Sequence, residues 1–154
     1  MTAFRSGRRG CPRRKWGEMA SILIVEDESL VALGHEFAVK QAGHLVFGVA
    51  ASVAQATDLL NTGRPDFAML EIGQVSAKPR TPDSDLDVRL LNGDLSYPIA
   101  RELRRLHIPF VFISGYPLEA VAVETGPVGV LRKPVHFEDL IALLERVRPG
   151  KGFA

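Results

Sequence analysis

The chain has 154 residues, a length typical of one domain built around one hydrophobic core. Hydrophobic residues make up 46% of it and charged residues 24%, which is the composition of a folded soluble protein and excludes a disordered chain. Cys11 is the only cysteine, so an internal disulfide and a cysteine-based zinc cluster are excluded, and no apolar run approaches the roughly 20 residues that span a bilayer. We therefore expect a cytoplasmic protein without membrane contact.

The net charge of +1 is distributed unevenly along the chain. The first twenty positions hold six basic residues, which are Arg5, Arg8, Arg9, Arg13, Arg14 and Lys15. Glu18 is the only acid among them, so this segment carries +5 and the remainder −4. Such a segment can bind nucleic acid or anionic lipid, but its composition favours a disordered arm over residues 1–19, or an upstream extension of a chain that starts at Met19. We do not expect nucleic acid to be a partner.

The first half of the chain alternates between short apolar runs and amphipathic segments. Residues 22–25 form a continuous apolar run, which is typical of a buried parallel strand. Leu30, Leu33 and Phe37 recur at helical spacing, and Gly43 supplies a stop signal. The predicted elements of this half are strands over residues 22–25, 44–50 and 66–72, and helices over residues 29–42 and 52–63.

The second half begins with a long irregular segment. Between residues 73 and 86 the composition is polar and includes Pro79 and Pro82, which predicts an exposed loop. Phe137, Leu140 and Leu144 mark the clearest amphipathic helix of the chain, which we expect to end at Pro149. The other predicted elements are helices over residues 99–106 and 118–125, and strands over residues 110–113 and 128–131.

This alternation predicts a doubly wound α/β fold, in which helices cover both faces of a five-stranded parallel sheet. Ligands bind at the carboxyl ends of the strands in such folds. The residues that the predicted strands bring to this edge are Glu26, Asp27, Glu71, Ser114 and Lys133. Clustered carboxylates suit Mg²⁺, a hydroxyl can hydrogen-bond a phosphoryl oxygen, and an amine can neutralise another. The set therefore indicates a pocket for phosphoryl transfer.

Three segments resemble the receiver domain of response regulators. They are residues 22–28 (ILIVEDE), residues 112–116 (FISGY) and residues 131–134 (LRKP). The resemblance extends over residues 20–147. It implies a flavodoxin-like fold, Mg²⁺ as cofactor and a role in two-component phosphorelay signal transduction in the cytoplasm.

The resemblance also bears on the organisation of the chain and on its partners. Residues 97–100 and 109–112 are similar to a branch of stand-alone bacterial receivers that lack an output domain. We expect a receiver domain over residues 20–148, preceded by the basic arm and followed by a tail over residues 149–154. The implied partners are a histidine kinase or phosphotransfer protein and a downstream protein.

The resemblance assigns a role to each residue of the predicted pocket. Asp27 would be the principal Mg²⁺ ligand with Glu26 assisting, Ser114 the switch hydroxyl, and Lys133 the amine that pairs with phosphate. The family has a cis peptide bond after this lysine, which makes Pro134 a candidate cis proline.

The sequence departs from the family at the phosphoacceptor. Glu71 stands where the third strand of a receiver ends in the aspartate that accepts phosphate, and its extra methylene misplaces the reactive oxygen for in-line attack. The segment that begins at Asp87 itself resembles the acceptor segment, as if residues 71–86 were an insertion before the original aspartate. Glu71 is the favoured occupant of the strand end, and Asp87 is the alternative acceptor and alternative metal ligand. A further departure is Val130, where the family has its switch aromatic.

Two functions follow from these observations. In the first, the chain is a phosphorelay receiver that binds Mg²⁺, accepts phosphate on an aspartate and changes its contacts with partner proteins. In the second, it is a pseudo-receiver, a protein-interaction module whose state is fixed by the negative charge of Glu71. Enzyme activity beyond self-phosphorylation and autodephosphorylation is not expected, since a Walker-type phosphate loop and a dinucleotide fingerprint are both absent from the sequence. We interpret His35, His44, His107 and His136 as structural or solvated.

Overall fold

A parallel sheet with helices on both faces forms the framework of the protein, which a computed structural model describes for residues 16–72, 97–115, 126–150 and 152–153. The strands of this sheet are β1 (Ser21–Val25), β2 (Leu45–Ala50), β3 (Phe67–Ile72), β4 (Phe110–Ser114) and β5 (Gly129–Arg132). The helices are α1 (Ser29–Gln41), α2 (Val53–Thr62), α3 (Tyr97–Arg105) and α4 (Phe137–Glu145), with a short 3-10 helix at Trp16–Glu18. Two further strands, β6 (Val147–Arg148) and β7 (Gly152–Phe153), form a separate antiparallel pair.

The five strands run parallel in the order β2-β1-β3-β4-β5. This order and the helices on both faces confirm the predicted flavodoxin-like fold class. The strands lie within one or two residues of their predicted bounds. Some predictions lie outside the described residues: the helix over residues 118–125, the whole loop over residues 73–86, and the positions of Asp87 and Tyr116.

The strands divide the core into two halves because successive side chains point to opposite faces of the sheet. Leu23, Ala68, Leu70, Phe110 and Phe112 belong to the half that also contains residues of α2 and α3. The other half contains residues of α1 and α4, and its strand residues are Ile22, Ile24, Phe67, Met69, Val111 and Ile113. Both sides of the central strands are therefore buried, which explains why those strands are apolar without alternation.

Helix α1 packs on the sheet through a side that does not carry its large apolar residues. Ala32, His35, Ala38 and Val39 are buried, whereas Leu30, Leu33 and Phe37 are 80%, 62% and 56% exposed. The spacing of the three large residues predicts the helix correctly, but they do not form its core face. The buried residues do, and Ala38 and Val39 among them belong to the core beneath the helix.

His44 connects three segments of the chain at the amino-terminal edge of the sheet. Its buried ring accepts a hydrogen bond at Nδ1 from the backbone N–H of Ala20 (3.1 Å), and its Nε2 lies 2.7 Å from the carbonyl oxygen of Leu144. Since a carbonyl can only accept, Nε2 carries the proton and the imidazole is neutral. The structural interpretation of this histidine agrees with these contacts.

Replacement of His44 by alanine is expected to lower the free energy of unfolding by about 2 to 4 kcal/mol. The substitution leaves the Ala20 N–H and the Leu144 carbonyl without their buried partner and opens a cavity. Urea denaturation at neutral pH measures the loss. His136→Ala, at an exposed position, is the matched control and should change stability by less than about 0.5 kcal/mol. Equal losses in the two variants would contradict this account.

The end of the described chain folds back onto the amino-terminal edge of the sheet. Helix α4 ends at Glu145, earlier than the predicted stop at Pro149, because Val147 and Arg148 pair with Gly152–Phe153. The ring of Phe153 stacks on Phe67 with 5.8 Å between centroids. Residues assigned to a tail therefore contribute to the packing of the core.

The helices within the described part of the chain are all too short or too polar to cross a bilayer.

Candidate functional site: a carboxylate pocket at the sheet edge

The strand order reverses between β1 and β3, and polar residues gather where these strands end. Val25 pairs with Leu70, so Glu26 and Glu71 both stand one residue beyond this pair, and Asp27 begins the loop to α1. A crevice forms at such a reversal because the chain leaves the two adjacent strands toward opposite faces of the sheet. The topology thus places the three carboxylates together.

Their oxygens form a compact cluster. One carboxylate oxygen from each of Glu26, Asp27 and Glu71 lies within 4.8 Å of the other two. Glu26 and Glu71 are buried, at 2% and 7% exposure, and Asp27 is exposed. Oε1 of Glu26 accepts a hydrogen bond from the backbone N–H of Glu28 (2.9 Å), while its Oε2 is buried and has no hydrogen-bond partner among the described residues. A buried carboxylate oxygen without a hydrogen-bond partner is unfavourable unless a nearby cation or a bound proton compensates its charge.

Lys133 supplies the positive charge of the pocket. Its ammonium forms an ion pair with Oε1 of Glu71, and its backbone N–H donates to the carbonyl of Ser114 (2.7 Å), which continues the pairing of β4 with β5. The peptide bond to Pro134, the candidate cis proline, is cis. Burial lowers the pKa of the Lys133 ammonium below its ordinary value, and the negative charges of Asp27 and Glu28 oppose this effect.

A cavity of about 780 Å³ opens beside these charges. Its lining residues are Asp27, Glu28, Val31, His35, Glu71, Ile113, Gly115, Lys133, Pro134 and Val135. The cavity therefore extends from the sheet edge along α1 and the start of the segment after β5.

His35 is a pocket residue that the sequence analysis missed. It lies one helical turn after Val31, so both side chains reach the cavity from the same side of α1. Burial and, to a smaller extent, the charge of Lys133 lower its pKa to about 4, so the imidazole is neutral at pH 7. Its place in the cavity depends on which side of α1 faces the sheet, and the helical spacing of the large apolar residues does not indicate this.

Ser114 and Val130 lie on the other side of the site. Ser114 is fully buried at the end of β4 and pairs with Ile72, so Ile113 is the β4 residue in register with Glu71. Val130 is partly buried against the half of the core that contains α2 and α3. The structure thus brings Glu26, Asp27, Glu71 and Lys133 together at one edge and places Ser114 one position further along the sheet. The alternative acceptor Asp87 lies outside the described residues.

The residues of the pocket fit a hard divalent cation. Mg²⁺ binds oxygen ligands, usually one or two carboxylates with waters completing its shell. Glu26 and Asp27 offer such ligands, and a cation held there would compensate the buried charge of Glu26. Glu71 is the third ligand available, although it also balances Lys133.

Comparison with known proteins identifies the fold. No protein-family model matches the chain. Among curated proteins, the phyllosphere-induced regulator PhyR of Methylorubrum extorquens is 25% identical over 127 residues, which are 81% of this chain and 42% of PhyR. The chain thus spans less than half the length of that relative.

Solved structures of receiver domains superpose on most of the chain. The receiver domain of the PhyR response regulator from Erythrobacter litoralis matches with a TM-score of 0.59 and 22% identity over 81% of this chain and 86% of that one. PhyR from Brucella abortus matches with a TM-score of 0.61 and 24% identity over 84% of this chain and 48% of that one. The chemotaxis response regulator CheY4 of Vibrio cholerae matches with a TM-score of 0.63 and 18% identity over 83% of this chain and 98% of that one. The resemblance found in the sequence is confirmed at the level of architecture: the chain has the fold of response regulator receiver domains.

Proposed function

We propose that this chain works as a receiver in two-component phosphorelay signalling, binds Mg²⁺ and passes its signal on through contacts with a partner protein. The observation that supports this function best is the pocket itself. Three carboxylates lie within 4.8 Å of one another at the strand reversal, beside the ammonium of Lys133. Clustered acceptors with an adjacent cation provide what phosphoryl transfer needs, which is a metal site and a charge that stabilises the transferred group.

Glu26 and Asp27 would hold the metal, with Glu71 or Asp87 as a third ligand. Mg²⁺ in this position supplies positive charge to the phosphoryl oxygens during transfer. Lys133 supplies a second positive charge once it separates from Glu71, and Ser114 would donate its hydroxyl to another oxygen. These roles give each polar residue of the sheet edge a part in binding one phosphoryl group.

The proposed donor is a histidine kinase or a phosphotransfer protein. In the transfer step the bond between phosphorus and the donor's imidazole nitrogen breaks, and a bond to a carboxylate oxygen of the acceptor forms. Asp87 is the acceptor in this proposal, since Glu71 has a longer side chain and is engaged by Lys133.

The chain would carry out its own phosphorylation and dephosphorylation and no other catalysis. We expect it to act in the cytoplasm and not on nucleic acid.

A second candidate is a pseudo-receiver that needs no phosphorylation. The observation in its favour is the ion pair between Glu71 and Lys133, because the lysine that would neutralise a phosphoryl group already has a negative partner within the chain. A fixed carboxylate carries about half the charge of a phosphoryl group, so it imitates that group in part. The chain would then bind its partner at a constant affinity.

Intact-mass spectrometry after incubation with acetyl phosphate and Mg²⁺ separates the two candidates. The first predicts a single phosphate adduct that requires Mg²⁺, disappears in Asp87→Ala and persists in Glu71→Ala. Asp83→Ala is the matched control, since it removes a neighbouring acid and should leave the adduct intact. Absence of an adduct from every sample would refute the phosphorelay function and favour the pseudo-receiver.

A further inference from the structure

The outer side of helix α1 carries apolar side chains that the fold leaves in solvent. Leu30, Leu33 and Phe37 repeat at the spacing of one helix face and are exposed. Phe137 of α4 is also exposed and lies beside Phe37, with 5.7 Å between ring centroids. A contiguous apolar patch on a water-facing helix is typical of an interaction surface. We name this surface the α1 face and define it by Leu30, Leu33, Gly34, Phe37 and Phe137.

A glycine lies in the middle of the α1 face. Gly34 occupies the interior of the helix, where glycine is less favourable than alanine. A methyl group added at this position would meet no atom within 4 Å, so packing within the chain does not require the glycine. The missing side chain leaves a hollow beside Leu30 and Leu33, and a side chain from another helix can enter it.

We propose that the α1 face binds a second copy of this chain, with the two α1 helices crossing in antiparallel directions about a two-fold axis between Leu33 and Gly34. In this register Leu33 of each copy enters the hollow above Gly34 of the other, and Leu30 lies opposite Phe37. A two-fold interface has to be complementary to itself. The α1 face meets this condition because it contains both the projecting side chain and the hollow that receives it.

The charges at the two ends of α1 favour the same arrangement. Exposed Glu28 precedes the helix, and Lys40 lies in its last turn with 65% of its side chain exposed, 3.9 Å from Glu36. Antiparallel pairing brings the acidic end of each helix beside the basic end of the other and also opposes the helix dipoles favourably. Parallel pairing would bring like charges together, so electrostatics selects the antiparallel form.

Few side chains take part, so the interface belongs to the small class whose complexes are weak and transient. We expect a monomer–dimer equilibrium within the micromolar to millimolar range. Sedimentation velocity of the full chain, without Mg²⁺ or phosphodonor, measures it. Because neither Mg²⁺ nor a phosphodonor is present, the measured dissociation constant does not depend on whether the chain accepts phosphate.

Gly34→Ala provides the sharpest test. It should raise the melting temperature of the monomer, because alanine favours the helix and its methyl group meets no atom. It should also raise the dissociation constant of the dimer about tenfold or more, because the methyl group fills the hollow that Leu33 of the second copy needs. A merely solvated helix face would show the first effect without the second.

Two further variants test the face and its charges. Leu33→Glu should abolish the dimer, whereas Leu45→Glu, the same change at an exposed leucine of β2, should leave it intact. Lys40→Glu should weaken the dimer, and Glu28→Lys combined with Lys40→Glu should restore it. The proposal is overturned if the chain stays monomeric over the whole range, or if its dimers are indifferent to Leu33→Glu and Gly34→Ala.

Discussion

Replacement of Lys133 by methionine is expected to lower the free energy of unfolding by about 3 kcal/mol or more. The ammonium of Lys133 is the ion-pair partner of Glu71, whose side chain is only 6% exposed. Without it, the carboxylate of Glu71 remains buried beside those of Glu26 and Asp27, and the repulsion among the three is no longer offset by this ammonium. Urea denaturation at neutral pH, in buffer free of divalent cations, measures the loss.

A double-mutant cycle identifies the origin of this effect. Combining Lys133→Met with Glu71→Met should restore most of the lost stability, because the double variant buries neither charge. Arg105→Met is the matched control, since it breaks the exposed pair with Glu102 and should cost less than about 1 kcal/mol. The pocket would not depend on the ion pair if Lys133→Met were as mild as Arg105→Met, or if the double variant gained nothing over the single one.

The stability of the protein is expected to fall as the pH is lowered from about 6.5 to about 4, with a contribution from His35 of up to about 3 kcal/mol. The pKa of His35 is about 4 in the folded protein and about 6.5 when the chain is unfolded. Between these values the unfolded chain binds the proton more readily, so acid favours unfolding. Above pH 6.5 the imidazole is neutral in both states, and the contribution becomes constant.

His35→Leu isolates this contribution. The other titratable groups are present in both proteins, so the difference between the two pH profiles reports His35 alone. We expect denaturation profiles of the variant to fall less steeply between pH 6.5 and pH 4, while His136→Leu, at an exposed histidine, follows the parent protein. Parallel profiles for His35→Leu and the parent would mean that the pKa of His35 is not lowered in the folded protein.

The fold could be predicted from the sequence because the signals for it are local. A parallel strand buried on both faces is a continuous apolar run, and a helix shows its own period, so the five strands and helices α1 to α4 could be recognised, although α4 ends earlier than predicted. Glu71 was correctly expected inside the third strand, and the polar residues after β1 and β3 were expected at one edge. Alternation of elements alone was sufficient for these inferences.

What the sequence could not predict depends on orientation and register. Helical spacing shows that α1 has an apolar stripe, but the side that packs on the sheet is a different one, which carries Ala38 and Val39. The same orientation brings His35 into the cavity. The offset between Ser114 and Glu71 follows from the register of β3 and β4, which no local pattern encodes. The strand at Gly152–Phe153 is too short to have a period.

Helix α1 presents one side to the cavity and the opposite side to solvent. Val31 and His35 lie on the first side, and Leu30, Leu33 and Phe37 on the second. A helix moves as a rigid rod, so a molecule that shifts or rotates it from outside also displaces the side chains that line the cavity. Allosteric coupling between two sites is reciprocal by thermodynamic necessity. If a ligand in the cavity changes the affinity of the outer side for its partner by some factor, binding of that partner changes the affinity of the cavity for the ligand by the same factor. Any coupling of this kind between the cavity and the outer surface would pass through one helix.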